Sequence, residues 1–343
     1  MSCQCFIIPQ NVLERFAKDK SLSAEARKQF ADAASYEKMW RKNRSNNIKH
    51  ELAAQNLLPN GFESAAPPAI LVNTCNHGTT LPGTPVANPG ASADGTAKRA
   101  FTETKAVADF YKSVFGRNSV DNNGKALLSS IHYSVNYNNA FWNGSQMTYG
   151  DGDGNIFVDF TKSNDVIGHE LTHGVTQFTS QFVYSNQSGG LNESMSDVFG
   201  SMFRQWRANQ TVTQADWLIG KDIMGPGAIA QGFSCLRDMA NPAAAHCLAP
   251  QPTQFSQYQN GMDPHQSSGI PNFAFYKAAK AYGGKSWEKV GKVWYKALAG
   301  YRPSPNLGML SFANRTRRQA RRLFPGDTAL FNAIDGGWKA VGL

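Results

Sequence analysis

The stretch that decides the fold is His169-Glu170-Leu171-Thr172-His173, which lies inside an amphipathic helical pattern over residues 165–180. On an α-helix, side chains four positions apart share one face, so both imidazoles can reach one metal ion. The spacing suits Zn2+, which lowers the pKa of its bound water toward about 7. Glu170 can take the proton of that water as it attacks a carbonyl group. We therefore predict His169 and His173 as zinc ligands and Glu170 as the general base.

A third ligand is expected from a second helix that carries the run Asn192-Glu193-Ser194-Met195-Ser196-Asp197. Glu193 completes the ligand set, and the fourth position is left to water. Asp197 lies one turn further on, where it can accept a hydrogen bond from the free ring nitrogen of His169 and fix its tautomer. A His-Glu-x-x-His match alone also occurs in helices with two solvent-facing histidines, and the second motif disfavours that interpretation. A metzincin would need a histidine where Thr179 stands.

Composition limits the other classes. With 343 residues and 41% hydrophobic content, the chain can bury a core of about two domains. The sequence has no apolar run long enough for a membrane span or an ordinary cleaved signal. The net charge of +9 is spread along the chain, and its densest cluster, at residues 315–322, lacks interleaved aromatic residues. We expect a solvated basic surface, no nucleic-acid partner and a monomer.

The five cysteines, Cys3, Cys5, Cys75, Cys235 and Cys247, match no four-cysteine zinc pattern. Cys235 and Cys247 bracket a loop rich in Ala and Pro. A disulfide between them in an oxidising compartment and a pair of idle thiols both fit this spacing.

The chain divides into three parts by pattern. Residues 1–50 contain a helical stretch that begins at Ser23 and ends in the predicted solvated linker RKNRSNN, residues 41–47. Short apolar runs from about residue 68 predict strands, including residues 129–135 and 154–160, with a helix around residues 101–115. Helical patterns dominate beyond Asp165.

By these motifs the sequence resembles the thermolysin family beyond residue 68, and specifically its protealysin-type branch with a short prosegment. Besides the two zinc motifs, the runs at 137–144 and 149–154 (YNNAFWNG and YGDGDG) are similar to the family's edge strand and following turn. The resemblance implies an α+β, two-domain fold with the zinc site in the cleft. We expect a prosegment over 1–50, a strand-rich domain over 51–180 and a helical domain over 181–343.

The resemblance also assigns roles that single residues would not reveal. Asn139 and Ala140 on the edge strand are expected to bind the substrate backbone, as is Arg237. Tyr184 and His265 match residues that stabilise the oxyanion. The family's pocket for the residue after the scissile bond falls on five apolar side chains, which implies cleavage before bulky apolar residues: Phe157, Phe160, Val166, Ile219 and Leu236.

Three departures from the family pattern carry expectations of their own. Asn260 stands where an aspartate usually orients the catalytic histidine, so we expect either that Asp263 substitutes for it or that His265 is less basic. Asp165 and Asp216 remain from the usual double calcium site, but Arg204, Leu218 and Lys221 replace other positions, so we expect that site to be absent. Gln10 stands where the prosegment motif usually has a second proline.

The prosegment is expected to lie across the cleft as an intramolecular inhibitor and to be cut at Asn47-Ile48, Glu51-Leu52 or Asn56-Leu57. Two alternatives remain for Cys3 and Cys5. One of them could bind the zinc ion as a thiolate, or they could be unpaired cysteines. We expect secretion by a route without a standard signal peptide, with an intracellular zymogen as the alternative.

Three other functions were weighed against a zinc endopeptidase acting on proteins or peptides. An aminopeptidase would need a glutamate motif for the substrate's free amine, which the sequence lacks. An inactive relic is disfavoured because Glu170 and all three ligands are intact. A nucleic-acid-binding module would bind in a salt-dependent way that is indifferent to chelator.

Overall fold

The computed structural model describes residues 5–55 and 66–343, and residues 41–55 by their helical backbone alone. The first three elements are strand β1 (Cys5–Phe6), helix α1 (Gln10–Lys18) and helix α2 (Ala24–Gln55). Helix α1 buries Val12, Leu13 and Phe16, and it packs against α2. The rings of Phe16 and Phe30, one from each helix, are in contact with centroids 5.1 Å apart and planes tilted by 35°. The first described segment is therefore a packed helical hairpin preceded by a short strand.

The predicted linker at 41–47 is wrong, because α2 continues through it to Gln55. The run contains neither Gly nor Pro, and its Arg and Lys residues are good helix formers. Of the expected cleavage points, Asn47-Ile48 and Glu51-Leu52 fall where only the backbone is described, and Asn56-Leu57 lies outside the described residues.

The next part of the chain forms a sheet, and helix α3 (Gly95–Phe115) packs against it. Its strands are β2 (Ile70–Thr74), β3 (Thr84–Pro85), β4 (Leu127–Ile131), β5 (Ala140–Trp142) and β6 (Met147–Tyr149). The six-stranded sheet has the order β1-β5-β6-β4-β2-β3, so the prosegment strand β1 forms one edge. It pairs antiparallel with β5 in the register Cys5↔Trp142 and Phe6↔Phe141.

The strand predicted at 154–160 does not form. Phe157 makes only an isolated bridge to Met224. The Asp153 carboxylate accepts the backbone N–H groups of Asn155, Ile156 and Phe157, and these local bonds replace a strand ladder.

Two buried helices carry the zinc motifs, α4 (Asn164–Gln177) and α5 (Asn186–Arg207). They approach closely at two glycines: a Cβ on Gly200 would lie 2.6 Å from the carbonyl oxygen of Asp165, and one on Gly168 would lie 3.1 Å from Cα of Gly200. This close contact brings the side chains of the two motifs within reach of one another.

The remainder is mainly helical. It contains the two-stranded pair β7 (Leu218–Ile219) and β8 (Arg237–Asp238), and helices α6 (Pro226–Ala230), α7 (Pro264–Ser267), α8 (Gly269–Tyr282), α9 (Lys289–Ala299), α10 (Met309–Leu323) and α11 (Thr328–Lys339). The architecture is the predicted α+β arrangement, with a strand-containing part before α4 and a helical part after it. Among the described helices, none combines the length and apolarity needed to cross a bilayer.

Candidate active site

Three side chains from α4 and α5 converge on one buried point. The Nε2 atoms of His169 and His173 lie 3.0 Å apart. Glu193 places one carboxylate oxygen 3.4 Å from His169 Nε2 and the other 3.6 Å from His173 Nε2. All three predicted ligands are at most 1% exposed.

The other ring nitrogen of each histidine has its own partner. His169 Nδ1 lies 2.9 Å from Asp197 Oδ1. His173 Nδ1 lies 2.9 Å from Asn192 Oδ1 and 3.1 Å from the hydroxyl of Ser196. Partners of this kind fix the tautomer so that the Nε2 lone pairs face each other. The sequence reasoning missed Asn192 and Ser196, although both stand in the run that contains Glu193.

The donor set fits a zinc ion. Neither carboxylate oxygen of Glu193 accepts a hydrogen bond among the described residues, although both are buried. The site thus offers two imidazole nitrogens and one carboxylate. This combination is a ligand set of catalytic zinc sites. The charges of His265 and His173 hold the pKa of Glu193 well below its usual range in spite of burial, so it is a carboxylate.

Glu170 lies next to these ligands and is fully buried. Its two oxygens accept no hydrogen bond of ordinary length within the described chain. Burial raises the pKa of Glu170 to about 8. The charge of His169 opposes this increase, and the charge of Glu193 adds to it. A carboxylate with a pKa in this range can take and return a proton near neutral pH.

Tyr184 and His265 meet beside the predicted ligands. The Tyr184 hydroxyl lies 3.2 Å from His265 Nε2, and that nitrogen lies 3.6 Å from Glu193 Oε2. His265 Nδ1 lies 2.9 Å from Asp263 Oδ1, so Asp263 is the carboxylate that orients the ring. Asn260 accepts a hydrogen bond from the hydroxyl of Tyr258.

Arg237 is completely buried behind the ligands. Its Nε and Nη2 each donate to Asp197 over 2.8 Å, and Asn272 Nδ2 donates to the same carboxylate over 2.9 Å. Because Asp197 also holds His169, one carboxylate connects Arg237 to a predicted zinc ligand. Asn272 carries no motif in the sequence, and only its position in the fold reveals its role.

The backbone of residues 6–8 lies along the candidate site. Ile7 N donates to Ala140 O over 3.1 Å, and Asn139 exchanges two hydrogen bonds with Ile8, of 3.0 and 3.2 Å. His265 Nε2 donates to the carbonyl of Phe6, and Arg237 Nη1 donates to the carbonyl of Ile7 over 3.0 Å. Four of the five residues expected to bind the substrate backbone or the oxyanion bond to this strand: Asn139, Ala140, Arg237 and His265.

Comparison with known proteins agrees with this arrangement. The family model for the thermolysin metallopeptidase catalytic domain matches residues 67–177, and the model for its alpha-helical domain matches residues 180–343. The chain belongs to the thermolysin family of metallopeptidases. Like its relatives, this thermolysin-family chain is a neutral zinc metalloendopeptidase.

Two relatives and one solved structure are similar to this thermolysin-family chain over most of its length. An extracellular metalloprotease of Pectobacterium carotovorum subsp. carotovorum is 42% identical over 274 residues, covering 77% of this chain and 78% of that one. Protease PrtS of Photorhabdus sp. (strain Az29) is 41% identical, covering 77% and 74%. The precursor of protealysin, a metalloproteinase from Serratia proteamaculans, superposes with a TM-score of 0.83 at 34% identity, covering 98% and 99%.

Two features of this family member concern the prosegment. Cys5 Sγ lies within 4.8 Å of ligand atoms of His173 and Glu193, but Cys5 is in a disulfide bond and so does not offer the thiolate considered from the sequence. Cys3 lies outside the described residues. Phe157 packs against the prosegment rings of Phe16 and Phe30, with centroids 6.3 Å apart in both pairs. All five side chains of the expected apolar pocket are fully buried.

At the expected calcium position, a guanidinium lies among the carboxylates. Arg204 Nη1 lies 2.5 Å from Asp222 Oδ2 and 3.8 Å from Asp165 Oδ1, and Nη2 lies 4.0 Å from Asp216 Oδ2. Lys221 lies 3.3 Å from Asp216. Asp222 was not predicted from the sequence, because only the fold brings it to this cluster.

Proposed function

We propose that this metalloendopeptidase is made as a zymogen and cleaves internal peptide bonds before bulky apolar residues, with Glu170 as the general base. The observation that carries the proposal is the convergence of His169, His173 and Glu193 beside the buried carboxylate of Glu170. When bound to these ligands, Zn2+ supplies a Lewis acid that polarises the scissile carbonyl and acidifies water.

The residues around the ligands divide the remaining work. Glu170 accepts a proton from the attacking water and passes it to the leaving amine. His265 and Tyr184 donate to the oxygen of the carbonyl under attack as its negative charge grows. Asp263, 2.9 Å from His265 Nδ1, orients the ring so that Nε2 faces the oxygen it serves.

The backbone of the prosegment indicates how a substrate lies. The carbonyl of Phe6 faces His265, and the carbonyl of the next residue, Ile7, faces Arg237. Consecutive carbonyls at these two side chains put the Phe6–Ile7 bond where a scissile bond would lie. Ile7 then stands for the residue after that bond, and its full burial supports an apolar preference there.

The same contacts support latency. Strand β1 fills the edge of β5 that a substrate strand would use, so substrate and prosegment exclude each other. Removal of the prosegment is then required for activity. We also propose that the enzyme is secreted, as the name of the extracellular relative suggests, and that Arg204 takes the place of the double calcium site.

Internal cleavage of an unstructured protein such as casein, measured after the prosegment has been cut, tests the catalytic proposal. Chelator should abolish cleavage and zinc should restore it. Glu170→Ala should lower kcat by about 10²–10⁴-fold while the zinc content stays unchanged. Full activity of Glu170→Ala, or no cleavage by processed and zinc-loaded protein, would overturn the proposal.

Inhibition in trans tests the role of the prosegment. A separately made 1–50 segment should inhibit the processed enzyme, and Asn139→Ala should weaken that inhibition by about 5–100-fold, because two hydrogen bonds to Ile8 are lost. Asn123→Ala, in an exposed turn, is the matched control. Equal inhibition of both variants would argue against binding of β1 along β5.

A further inference from the structure

A second group of metal-binding side chains lies outside the catalytic site. Cys235, His246 and Cys247 each offer a ligand atom, and these three atoms lie within 4.8 Å of one another. Backbone hydrogen bonds hold the two segments together: Ser234 N donates to His246 O over 3.0 Å, and Leu248 N donates to Cys235 O over 2.9 Å. The positions of the three side chains are therefore set by the backbone.

Two of the three separations match those across a tetrahedral metal, and the third pair of atoms lies within 4.8 Å. The two sulfur atoms lie 3.7 Å apart, and Cys235 Sγ lies 3.7 Å from His246 Nδ1. With Zn–S near 2.3 Å and Zn–N near 2.0–2.1 Å, tetrahedral angles place two sulfurs about 3.8 Å apart and a sulfur and a nitrogen about 3.6 Å apart. A disulfide would instead require the sulfurs to approach to about 2.05 Å.

The surroundings suit a metal site of the structural kind. Both thiols are free, and both cysteines are at most 1% exposed. The second ring nitrogen of His246, Nε2, lies 3.3 Å from Asp238 Oδ2, the arrangement in which a carboxylate orients a metal-binding imidazole. The Ser234 hydroxyl, now 2.8 Å from His246 Nδ1, would turn away and leave that nitrogen to the metal.

We propose that Cys235, His246 and Cys247 bind a second zinc ion, as two thiolates and a neutral imidazole, with water in the fourth position. The half-exposed side chain of His246 leaves that position open to solvent. Binding releases the two thiol protons to water and involves no change of oxidation state. The alternative chemistry of the same two sulfurs, a disulfide, is a competing outcome of the test.

The position of this site suggests what the ion does. Cys235 and Asp238 flank Arg237, whose guanidinium holds Asp197 and the Ile7 carbonyl. Ligation of Cys235, with Asp238 supporting His246, fixes strand β8 from both sides of Arg237. This consequence rests on the proposed role of Arg237 in substrate binding, whereas the metal site itself does not depend on it.

Metal content and spectroscopy test the proposal without any measurement of activity. Because reducing conditions open the disulfide of Cys5, the full chain carries Cys5→Ser, so that this residue offers no thiol beside the catalytic ligands, and it is loaded with zinc or cobalt. Two ions per chain are expected, with sulfur-to-cobalt charge-transfer absorption in the near ultraviolet. Cys235→Ser and Cys247→Ser should each bind one ion and lose that absorption, while Cys75→Ser, a buried cysteine elsewhere, should keep both ions.

Two results would overturn the proposal. One is a single ion per chain with all thiols reactive in denaturant. The other is a single ion per chain with two fewer reactive thiols and a Cys235–Cys247 cross-link in peptide maps, which would establish the disulfide. Either result leaves the catalytic proposal intact, because that proposal depends on the other ion and on Glu170.

Discussion

Arg237 and Asp197 form a bidentate ion pair with two hydrogen bonds of 2.8 Å, and both side chains are completely buried. The same aspartate holds His169, and the same arginine holds the carbonyl of Ile7. The burial of Asp197 opposes its charge, but Arg237 and His169 together lower its pKa. The pair thus links the zinc-binding face to the substrate-binding face.

Removing the arginine should therefore destabilise the protein as well as weaken substrate binding. Arg237→Met leaves Asp197 as an uncompensated buried charge, so the free energy of unfolding should fall by about 3–5 kcal/mol. Arg237→Lys keeps the charge but not the planar fork, and its loss should be smaller. Denaturant unfolding measures both, with the exposed Arg322→Met as the control, expected within about 0.5 kcal/mol of wild type. Equal stability of Arg237→Met and the control would contradict this view of the pair.

The contact between α4 and α5 makes a second prediction. Gly200→Ala should lower both stability and zinc content, because the new Cβ would lie 2.6 Å from the Asp165 carbonyl and push the two helices apart. The steric cost should exceed the gain of up to about 1 kcal/mol that alanine brings to a helix. Gly336→Ala in α11 is the matched control, since its Cβ would meet nothing within 4 Å and should stabilise. Thermal unfolding and metal analysis of both variants check this, and a more stable Gly200→Ala would refute it.

Calcium makes a third prediction. The melting temperature should be the same with calcium or with a calcium-selective chelator, because Arg204 supplies the positive charge between Asp165, Asp216 and Asp222. Arg204→Ala should cost about 3–5 kcal/mol, since burial raises the pKa of Asp165 and the cation that offsets this would be gone. Arg207→Ala removes an exposed pair with Glu103 at 3.4 Å and should cost no more than about 1 kcal/mol. A melting temperature that rises with calcium in the wild type would show that a calcium site remains.

A histidine far from the zinc site gives a prediction on pH. His132 places Nδ1 2.8 Å from Asp151 and Nε2 3.0 Å from Asp94. The hydrogen bond to Asp151, and then that to Asp94, raise the pKa of His132 to about 9 against the opposing effect of burial. Since the folded pKa exceeds the unfolded value of about 6.5, the stabilisation is complete below about pH 6.5 and is lost as the pH rises through about 9.

For this partly exposed group, we expect a contribution of about 1–2 kcal/mol after solvent screening. The difference in unfolding free energy between the wild type and His132→Gln should shrink from pH 6 to pH 9.5. An NMR titration should show that Asp151→Asn lowers the pKa of His132, while Asp109→Asn, on an exposed helix face, leaves it unchanged. A pKa of about 6.5 for His132 in the wild type would exclude a charged His132 held by Asp151 and Asp94.

The sequence by itself determined the helices of the two motifs and the three side chains that converge, because helical periodicity is local and the spacing of His169, His173 and Glu193 is chemically restrictive. The family and the fold class followed from the resemblance of these motifs to a known family. Only the tertiary structure decided which residues support them. Asn192, Ser196 and Asn272 contribute hydrogen bonds that depend on helix packing, and Asp222 joins Arg204 from another segment. The substrate-like placement of residues 6–8 and the cluster of Cys235, His246 and Cys247 likewise depend on contacts between distant segments. Periodicity cannot register such contacts, because it reports only which residues share a face of one element.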